Sequence, residues 1–422
     1  MKKLGGDANL LTRIAKNKLT KSKIANFKQA IAEYLELSVS NITLFWKGRV
    51  AFYSILKALE IEKGSEIILP AFTCVVVVNP IIYLGARPIY VDIDGKTFNI
   101  SLAELEKKIT GKTKVILAQN TFGLSPDLEI IKAIANKYNL HVVEDCAHGF
   151  GGEYKGQKNG TVADAAFFST QWNKPFSTGI GGIAITKNPK LAERLKVIEA
   201  EASIPSRKEE FLLKWLLFVR KRLLKPSIYW YALKIYRQLS KWNLILGSSQ
   251  GYELQEPKEP PDFLKSFTET QALEGLKYFK KRNGRYVIDL INEHRKKIAN
   301  LYKEILLDLG IEPPFEPSYS KHIYLKFPLL VKNRARVLQL AQQRRIELGD
   351  WFLSPIHPIM NRFELWGYKW GENPVAEYAS THIINLPTHP GVDENYVDKV
   401  YSFLKEIRDE IIGCRVPESV GR

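Results

Sequence analysis

The 422-residue sequence has few of the side chains from which metal sites and disulfide frameworks are built. It holds three widely spaced cysteines, Cys74, Cys146 and Cys414, and seven scattered histidines without ligand spacing. An odd, dispersed set of cysteines suits a reducing compartment and provides no disulfide or zinc framework. We therefore expect a cytoplasmic protein without a bound metal.

Long apolar runs are missing as well. No apolar stretch approaches 20 residues, so we predict no transmembrane helix. The N-terminal text MKKLGGDANLL lacks the apolar core of a signal peptide. Acidic side chains are outnumbered, since 62 Lys and Arg face 45 Asp and Glu. The net charge of +17 indicates an anionic substrate or membrane surface, and no nucleic-acid motif is present.

From residue 64 onward, apolar strands alternate with amphipathic helices. The strand texts are EIILP, RPIYVDI, TKVILAQN and LHVVEDC. Continuous apolar strands separated by helices predict an α/β protein with a mainly parallel sheet covered on both faces. Farther on, a long basic helix over residues 271–306, a strand in HIYLKFPLLV and a last helix around Val397–Ile407 predict a smaller α+β domain. The predicted division is an N-terminal helical segment (1–45), a large domain (46–199), a basic insertion (200–261) and a small domain (262–422).

The stretch Phe167–Gly182, FFSTQWNKPFSTGIGG, contains an unusual lysine. Lys174 lies in a glycine-punctuated turn between two apolar runs, five residues after Ser169. Burial lowers the pKa of a lysine because the charged form loses hydration. An amine in this setting condenses with aldehydes, and the usual aldehyde partner in proteins is pyridoxal phosphate.

Upstream residues supply what that cofactor needs. Asp145 ends an apolar strand, and a carboxylate keeps the pyridine nitrogen protonated. Ser169 and the Gly48-Arg49 turn ahead of a helix offer a hydroxyl and backbone N–H groups to the phosphate. Ligands bind at the carboxyl ends of parallel strands, so these residues and Lys174 should share one pocket. Taken singly, Gly48 also fits a simple helix N-cap and Asp145 a strand-end cap.

The chain also resembles the DegT/DnrJ/StrS sugar aminotransferases, which share pyridoxal phosphate fold type I with aspartate aminotransferase. The resemblance covers most of residues 46–200 and 270–410. It is carried by the segments GRVAFYSILKAL, KGSEIILPAFT, GARPIYVDID, TKVILAQNTFG, HVVEDCAHGFGGEYKGQKNG, FFSTQWNKPFSTGIGG, TETQALEGL, SPIHP, NPVAEYAS and NLPTHP. It implies a homodimer whose active sites lie between subunits.

The resemblance implies roles for individual residues. Lys174 would form a Schiff base with the cofactor, Asp145 would pair with the pyridine nitrogen, and Ser169 would bind the phosphate beside Gly48 and Arg49.

Other positions match the family less closely. His148 stands where the family has a Gln or His against the cofactor ring; an ordinary loop histidine is the alternative. Cys74 and Asn120 take cofactor-side positions where members often have an aromatic residue and a histidine. Ile180 replaces the Glu of a TGEGG text, and Leu264–Phe267 replaces an N-x-R-M text. These departures affect the expected sugar substrate and leave the cofactor chemistry intact.

The predicted function is therefore transfer of an amino group from an amino acid, such as L-glutamate, to a keto-sugar carried on a nucleotide or lipid diphosphate. Such reactions serve cell-surface polysaccharide, lipopolysaccharide or amino-sugar synthesis. The candidate catalytic residues are Lys174, Asp145 and His148. One alternative is a sugar dehydratase of the same family, in which a histidine replaces the lysine. The other is a non-catalytic, membrane-associated regulatory protein.

The insertion has a composition of its own. Residues 207–241 hold ten Lys or Arg against two Glu, interleaved with aromatic side chains. Phe211, Trp215 and Phe218 share one face of a predicted helix, and Pro226 separates it from a second. The pair either packs on a partner subunit or over the active site, or lies through residues 207–242 on the inner face of a membrane.

Overall fold

The computed structural model describes residues 22–222 and 251–421, and its centre is a seven-stranded sheet. In spatial order the strands are β1 (Ile42–Phe45), β10 (Gly182–Ile185), β9 (Ala165–Ser169), β6 (His141–Asp145), β5 (Thr113–Gln119), β2 (Glu66–Pro70) and β4 (Arg87–Val91). The strands from β9 to β4 pair in parallel, whereas β1 and β10 run antiparallel at one edge. The predicted α/β fold with a mainly parallel sheet is confirmed.

Helices cover both faces of this sheet. They are α1 (Lys23–Leu35), α2 (Gly48–Ala58), α3 (Val75–Tyr83), α4 (Leu102–Leu105), α5 (Leu128–Lys137) and α6 (Pro189–Glu201). Ile67 joins the core beneath α2 and α3, while its neighbour Ile68 joins the core beneath α5. Successive strand residues face opposite sides, so a strand buried on both sides is apolar throughout. Tyr138, which follows the last residue of α5, is exposed and donates a hydrogen bond to Glu106.

The N-terminal segment is more closely joined to the large domain than its predicted boundary indicates. Phe27, Ile31 and Tyr34 of α1 are buried, as the helical spacing predicts. β1, however, pairs with β10 inside the main sheet. A boundary at residues 45 and 46 would therefore separate a strand from the rest of its own sheet.

The prediction of one long helix over residues 271–306 is wrong. A short helix, α8 (Glu269–Gly275), is followed by a hairpin of β11 (Lys281–Arg282) and β12 (Arg285–Tyr286), and only then by α9 (Val287–Asp308). Asn283 and Gly284 have φ angles of 50° and 78°. Two consecutive left-handed residues end a helix and form the tight turn for which Asn-Gly is the favoured pair.

A second, antiparallel sheet forms the centre of the small domain. The strands β14 (Phe327–Val331), β16 (Ile383–Leu386) and β17 (Ile411–Gly413) form it, and β14 is central. The helices α9, α10 (Arg334–Gln343) and α12 (Glu394–Glu406) pack around a core with these strands, while α11 (Pro374–His382) leads into β16. The short strands are β3 (Thr73–Cys74), β7 (Glu153–Tyr154), β8 (Gln157–Lys158), β13 (Ser320–Lys321) and β15 (Ile356–His357). β15 pairs in parallel with β3, which joins the small domain to the main site region.

The insertion contributes one long described α-helix, α7 (Arg207–Arg222), and a single 3-10 turn at Gly251–Leu254. Its Leu213 and Leu216 are buried against Trp46 and Ile180, beside the turn that carries Lys174. The predicted second helix, with Trp230 and Trp242, lies outside the described residues. Among the helices that the structure describes, none has the length and apolarity to span a bilayer.

Candidate active site

The sheet brings the predicted residues to a single edge. Asp145 is the last residue of β6 and Ser169 the last of β9, and these two strands are parallel neighbours. Lys174 lies in the turn that leaves β9, where its backbone N–H donates to the carbonyl of Gln171. The convergence of these residues at the carboxyl ends of the strands is therefore observed.

Lys174 is half-buried, and its pKa is shifted from the ordinary value of a lysine. Burial lowers its pKa, and the nearby Cys74 and Asp145 partly offset that effect. Its Nζ lies 4.9 Å from the ring centre of Trp351. The lowered pKa increases the neutral, nucleophilic fraction of the amine at physiological pH.

The turn around Lys174 is fixed from two sides. Arg295 of α9 donates from Nη2 to the carbonyl of Pro175 at 3.0 Å. On the other side, Arg220 of α7 donates to the carbonyl of Trp172 at 3.0 Å and stacks over its indole. Both contacts restrict the backbone next to the lysine, which preorganises the amine.

Asp145 is a buried carboxylate, only 4% exposed. Burial raises its pKa to about 6, while the N–H of Ala147 and the charge of Lys174 act in the opposite direction. Ala147 donates to Oδ1 at 2.9 Å. A buried carboxylate with so few partners is stabilised by any cation placed against it, such as a protonated pyridine nitrogen.

His148 lies in a stack of aromatic rings. Its imidazole is nearly parallel to the rings of Trp351, with ring centres 5.2 Å apart, and Phe122, with ring centres 6.5 Å apart, and both interplanar angles are 12°. Burial and the charge of Lys174 hold its pKa well below the usual range, so the ring is neutral. Its Nδ1 is buried and has no hydrogen-bond partner among the described residues. The imidazole is thus a neutral, planar ring with one unused polar atom.

The N-terminus of α2 meets Ser169. Gly48 is the first residue of that helix, and no side chain caps it. A Cβ added at Gly48 would lie 2.8 Å from the Cβ of Ser169, so only glycine permits this approach. An uncapped helix N-terminus beside a hydroxyl forms an anion cradle of the kind that binds phosphate.

Arg49 has a partner that the sequence does not predict. Its guanidinium forms a buried ion pair with Glu253, from the described end of the insertion. The carbonyl of Glu253 accepts from Asn79, and the carboxamide oxygen of Asn79 accepts from Trp366. Arg49 therefore connects the cradle to the insertion.

Two further predicted positions differ in their placement. Cys74 lies close enough to Lys174 and Asp145 to interact electrostatically with both. Burial raises the pKa of its thiol. Asn120 is fully buried below the edge. Its amide donates to Glu144 at 2.9 Å, and its oxygen accepts from Asn159 at 2.6 Å. Through these two hydrogen bonds, the side chain of Asn120 supports the ends of the strands.

Several site residues were not predicted from the sequence. Trp351, Lys326 and Arg295 come from the small-domain half of the chain and surround Lys174. His357 of β15 lies beside Cys74 in the pairing with β3, and burial lowers the pKa of His357 to about 4. His357 lies within the SPIHP segment, a local signal that could have marked it, whereas nothing in the local sequence marks Lys326.

The arrangement fits pyridoxal phosphate. The uncapped cradle of Gly48 and Ser169 suits the phosphate, the raised pKa of Asp145 suits a cationic ring nitrogen, and the face of His148 suits the ring. Lys174 supplies the amine for the aldehyde. The fold and this site together define an aminotransferase of fold type I.

Comparison with known proteins shows the family. The model of the DegT/DnrJ/EryC1/StrS aminotransferase family matches residues 7–215 and 267–405. The chain belongs to this family.

Two of the relatives have names that refer to nucleotide-linked sugars. The chain is 28% identical to GDP-perosamine synthase of Escherichia coli O157:H7 over 385 residues, which is 91% of this chain and 89% of the relative. It is 30% identical to dTDP-3-amino-3,6-dideoxy-alpha-D-galactopyranose transaminase of Aneurinibacillus thermoaerophilus over 354 residues, or 84% and 82% of the two chains.

A solved structure shows the same fold. NtdA from Bacillus subtilis, with bound cofactor PMP, superimposes with a TM-score of 0.69 and 22% identity over 96% of this chain and 81% of that one. The predicted family, fold type, enzyme class and cofactor are confirmed by these comparisons.

We predict that Asp145→Asn keeps the cofactor but loses about 10²–10³ in transamination rate, because asparagine keeps the shape without the negative charge. Absorbance of the bound cofactor and steady-state rates measure the two properties. Asp164→Asn, at the opposite end of the neighbouring strand, is the control and should resemble wild type. A rate for Asp145→Asn within a few-fold of wild type would assign the role to another acid.

Proposed function

We propose that the protein moves an amino group from an amino acid to a keto-sugar carried on a nucleotide or lipid diphosphate. The proposed amino-acid donor is L-glutamate. The observation that carries the proposal is the convergence of Lys174, Asp145 and the Gly48–Ser169 cradle at one sheet edge. The names of the relatives supply the sugar. The product would enter cell-surface polysaccharide, lipopolysaccharide or amino-sugar synthesis.

Each site residue has a defined task in this proposal. When bound, pyridoxal phosphate supplies the aldehyde that takes up the amine and an electron-withdrawing ring. The Lys174 amine removes the proton from the Cα of the donor, and later delivers a proton to the sugar carbon that gains nitrogen. Asp145 keeps its negative charge against the ring nitrogen, which favours charge developing at the reacting carbon. His148 stacks on the ring, and Ser169 with the first turn of α2 holds the phosphate.

Cys74, Arg49 and Asn120 have supporting tasks. Cys74 lies close enough to Lys174 for the two groups to interact electrostatically. In this proposal it lines the part of the site that holds the cofactor ring. Arg49 adds positive charge at the cradle while Glu253 fixes its position. Asn120 acts from below through Glu144, which also accepts from the N–H of Gly160. We also propose a homodimer with shared sites, as the family resemblance implies.

The functional test is direct. Purified protein incubated with L-glutamate and GDP-, UDP- or dTDP-linked keto-sugars should yield an amino-sugar and 2-oxoglutarate in equal amounts, as mass spectrometry would show. Lys174→Ala should abolish both products, because the transferring amine is lost, whereas Lys187→Ala, an exposed lysine after β10, should not. Loss of water from the sugar without gain of nitrogen would favour the dehydratase. No product with any sugar or donor would favour a regulatory protein.

We further propose that α7 brings the enzyme to an anionic membrane surface on the cytoplasmic side. Phe211, Trp215 and Phe218 are 70%, 47% and 57% exposed on one face of this helix. Its two acidic residues face the protein body, since Glu209 pairs with Lys265 at 2.7 Å and Glu210 accepts from Thr270 at 2.8 Å. The outward surface is therefore aromatic and cationic, as in helices that lie in membrane interfaces.

The sequence after α7 continues the same chemistry. Residues 223–249 contain four Lys or Arg and no acidic residue. Each cation near an anionic surface contributes about 1 kcal/mol. Arg220 is engaged with Trp172, so the neighbouring cations on α7 would carry the attraction.

We predict that the protein co-sediments with phosphatidylglycerol-containing vesicles at low salt and is released at high salt, since exposed charges are screened. Replacing Phe211, Trp215 and Phe218 together by serine should reduce binding, because aromatic side chains anchor the interface. The control replaces Leu307 and Phe315, exposed residues elsewhere, by serine. Equal behaviour of both variants, or no sedimentation of wild type, would leave α7 as a packing surface.

A further inference from the structure

A second amine lies close to Lys174. Lys326 immediately precedes β14, and its Nζ lies 5.4 Å from the ring centre of Trp351. Lys174 lies 4.9 Å from the same ring. One indole thus contacts the amine of the predicted reaction and a cation contributed by the small domain. A molecule that reacts at Lys174 comes within reach of Lys326.

Lys326 has no ion pair or hydrogen bond to any residue that the structure describes. The carboxylates that influence it are those of Glu347 and Asp350, and neither forms an ion pair with it within the described part of the chain. Glu347 binds His389 at 3.1 Å. Desolvating an ammonium without a partner is costly, so an unpaired lysine at this position indicates an anion that binds there.

Arg295 adds to the positive charge. It is 5% exposed and uses its Nη atoms on the oxygens of Asn292 and Pro175. No carboxylate pairs with it among the described residues, and its charge acts on Lys326. Among the described residues, Asp145 is the carboxylate that influences Lys174, beside the thiol of Cys74. Arg295 and Lys326 thus bring to this side of the site two cationic side chains without an ion-pair partner among the described residues.

We propose that Lys326 binds a carboxylate of the amino-acid donor while the donor amine reacts at Lys174. The inference rests on the proposed function, because it assumes an amino-acid donor. A carboxylate matches a compact ammonium as a point-charge partner. The phosphate cradle lies elsewhere, at Gly48 and Ser169, which leaves Lys326 free for a different anion.

The proposal confines Lys326 to one half of the reaction. The keto-sugar carries no carboxylate at its reacting carbon, so the second half should not depend on this lysine. Arg295 is a positioning residue in this account, because it reaches the reacting amine only through the carbonyl of Pro175.

The experiment compares wild-type holoenzyme with Lys326→Met, Lys326→Arg and the control Lys332→Met, which removes an exposed lysine at the other end of β14. The absorbance change on adding L-glutamate gives the apparent Kd of the donor. Calorimetry with glutarate, which has carboxylates but no amine, gives a value independent of chemistry. Calorimetry with inorganic pyrophosphate reports on diphosphate binding.

Lys326→Met should weaken L-glutamate and glutarate about 10- to 100-fold, the loss expected for one hydrogen bond between charged groups. Lys326→Arg should restore most of the affinity, and Lys332→Met should match wild type. Pyrophosphate binding should be unchanged, which also shows that the variant is folded.

Three results have other meanings. Unchanged glutamate and glutarate binding in Lys326→Met would overturn the proposal. Loss of pyrophosphate binding in its place would also overturn it and assign Lys326 to the diphosphate. A wild-type holoenzyme that responds to no amino acid, while still binding glutarate through Lys326, would contradict the proposed function and leave the carboxylate site standing.

Discussion

The electrostatic coupling between Asp145 and Lys174 is the interaction on which the site depends. Each group is withdrawn from water, which raises the pKa of Asp145 and lowers the pKa of Lys174. Each partly restores the charge of the other across the edge of the sheet. This balance keeps the carboxylate available to a cation and enlarges the neutral fraction of the amine. Parallel strands make the arrangement possible, because β6 and β9 end side by side.

The surrounding elements hold that pair in place. Arg295 from the small domain and Arg220 from the insertion donate hydrogen bonds to the turn on opposite sides of Lys174. The buried Arg49–Glu253 pair ties the insertion to the phosphate cradle. Separate parts of the chain therefore converge on one loop, and a change in any of them would alter the position of the amine.

Much of the fold follows from local sequence. The strand texts give the sheet because a strand buried on both faces must be apolar, and Asp145 and Ser169 mark its carboxyl edge. The hairpin at Asn283-Gly284 was missed, although that pair is a strong turn signal, because helical spacing continues on either side. Trp351 and Lys326 could not be predicted, since only tertiary packing brings the small domain to Lys174. The orientation of Asn120 depends likewise on Glu144 and Asn159, which are distant in sequence.

The most direct test of the account is chemical mapping of the lysine bound to the cofactor. Borohydride reduction of the purified holoenzyme, digestion and mass spectrometry identify the modified residue. Lys47 and Lys326 are informative competitors, because burial lowers the pKa of Lys47 to about 8 and also lowers that of Lys326. We expect the cofactor mass on Lys174 alone. Its presence on Lys47, Lys326 or any other lysine would contradict the assignment of the site.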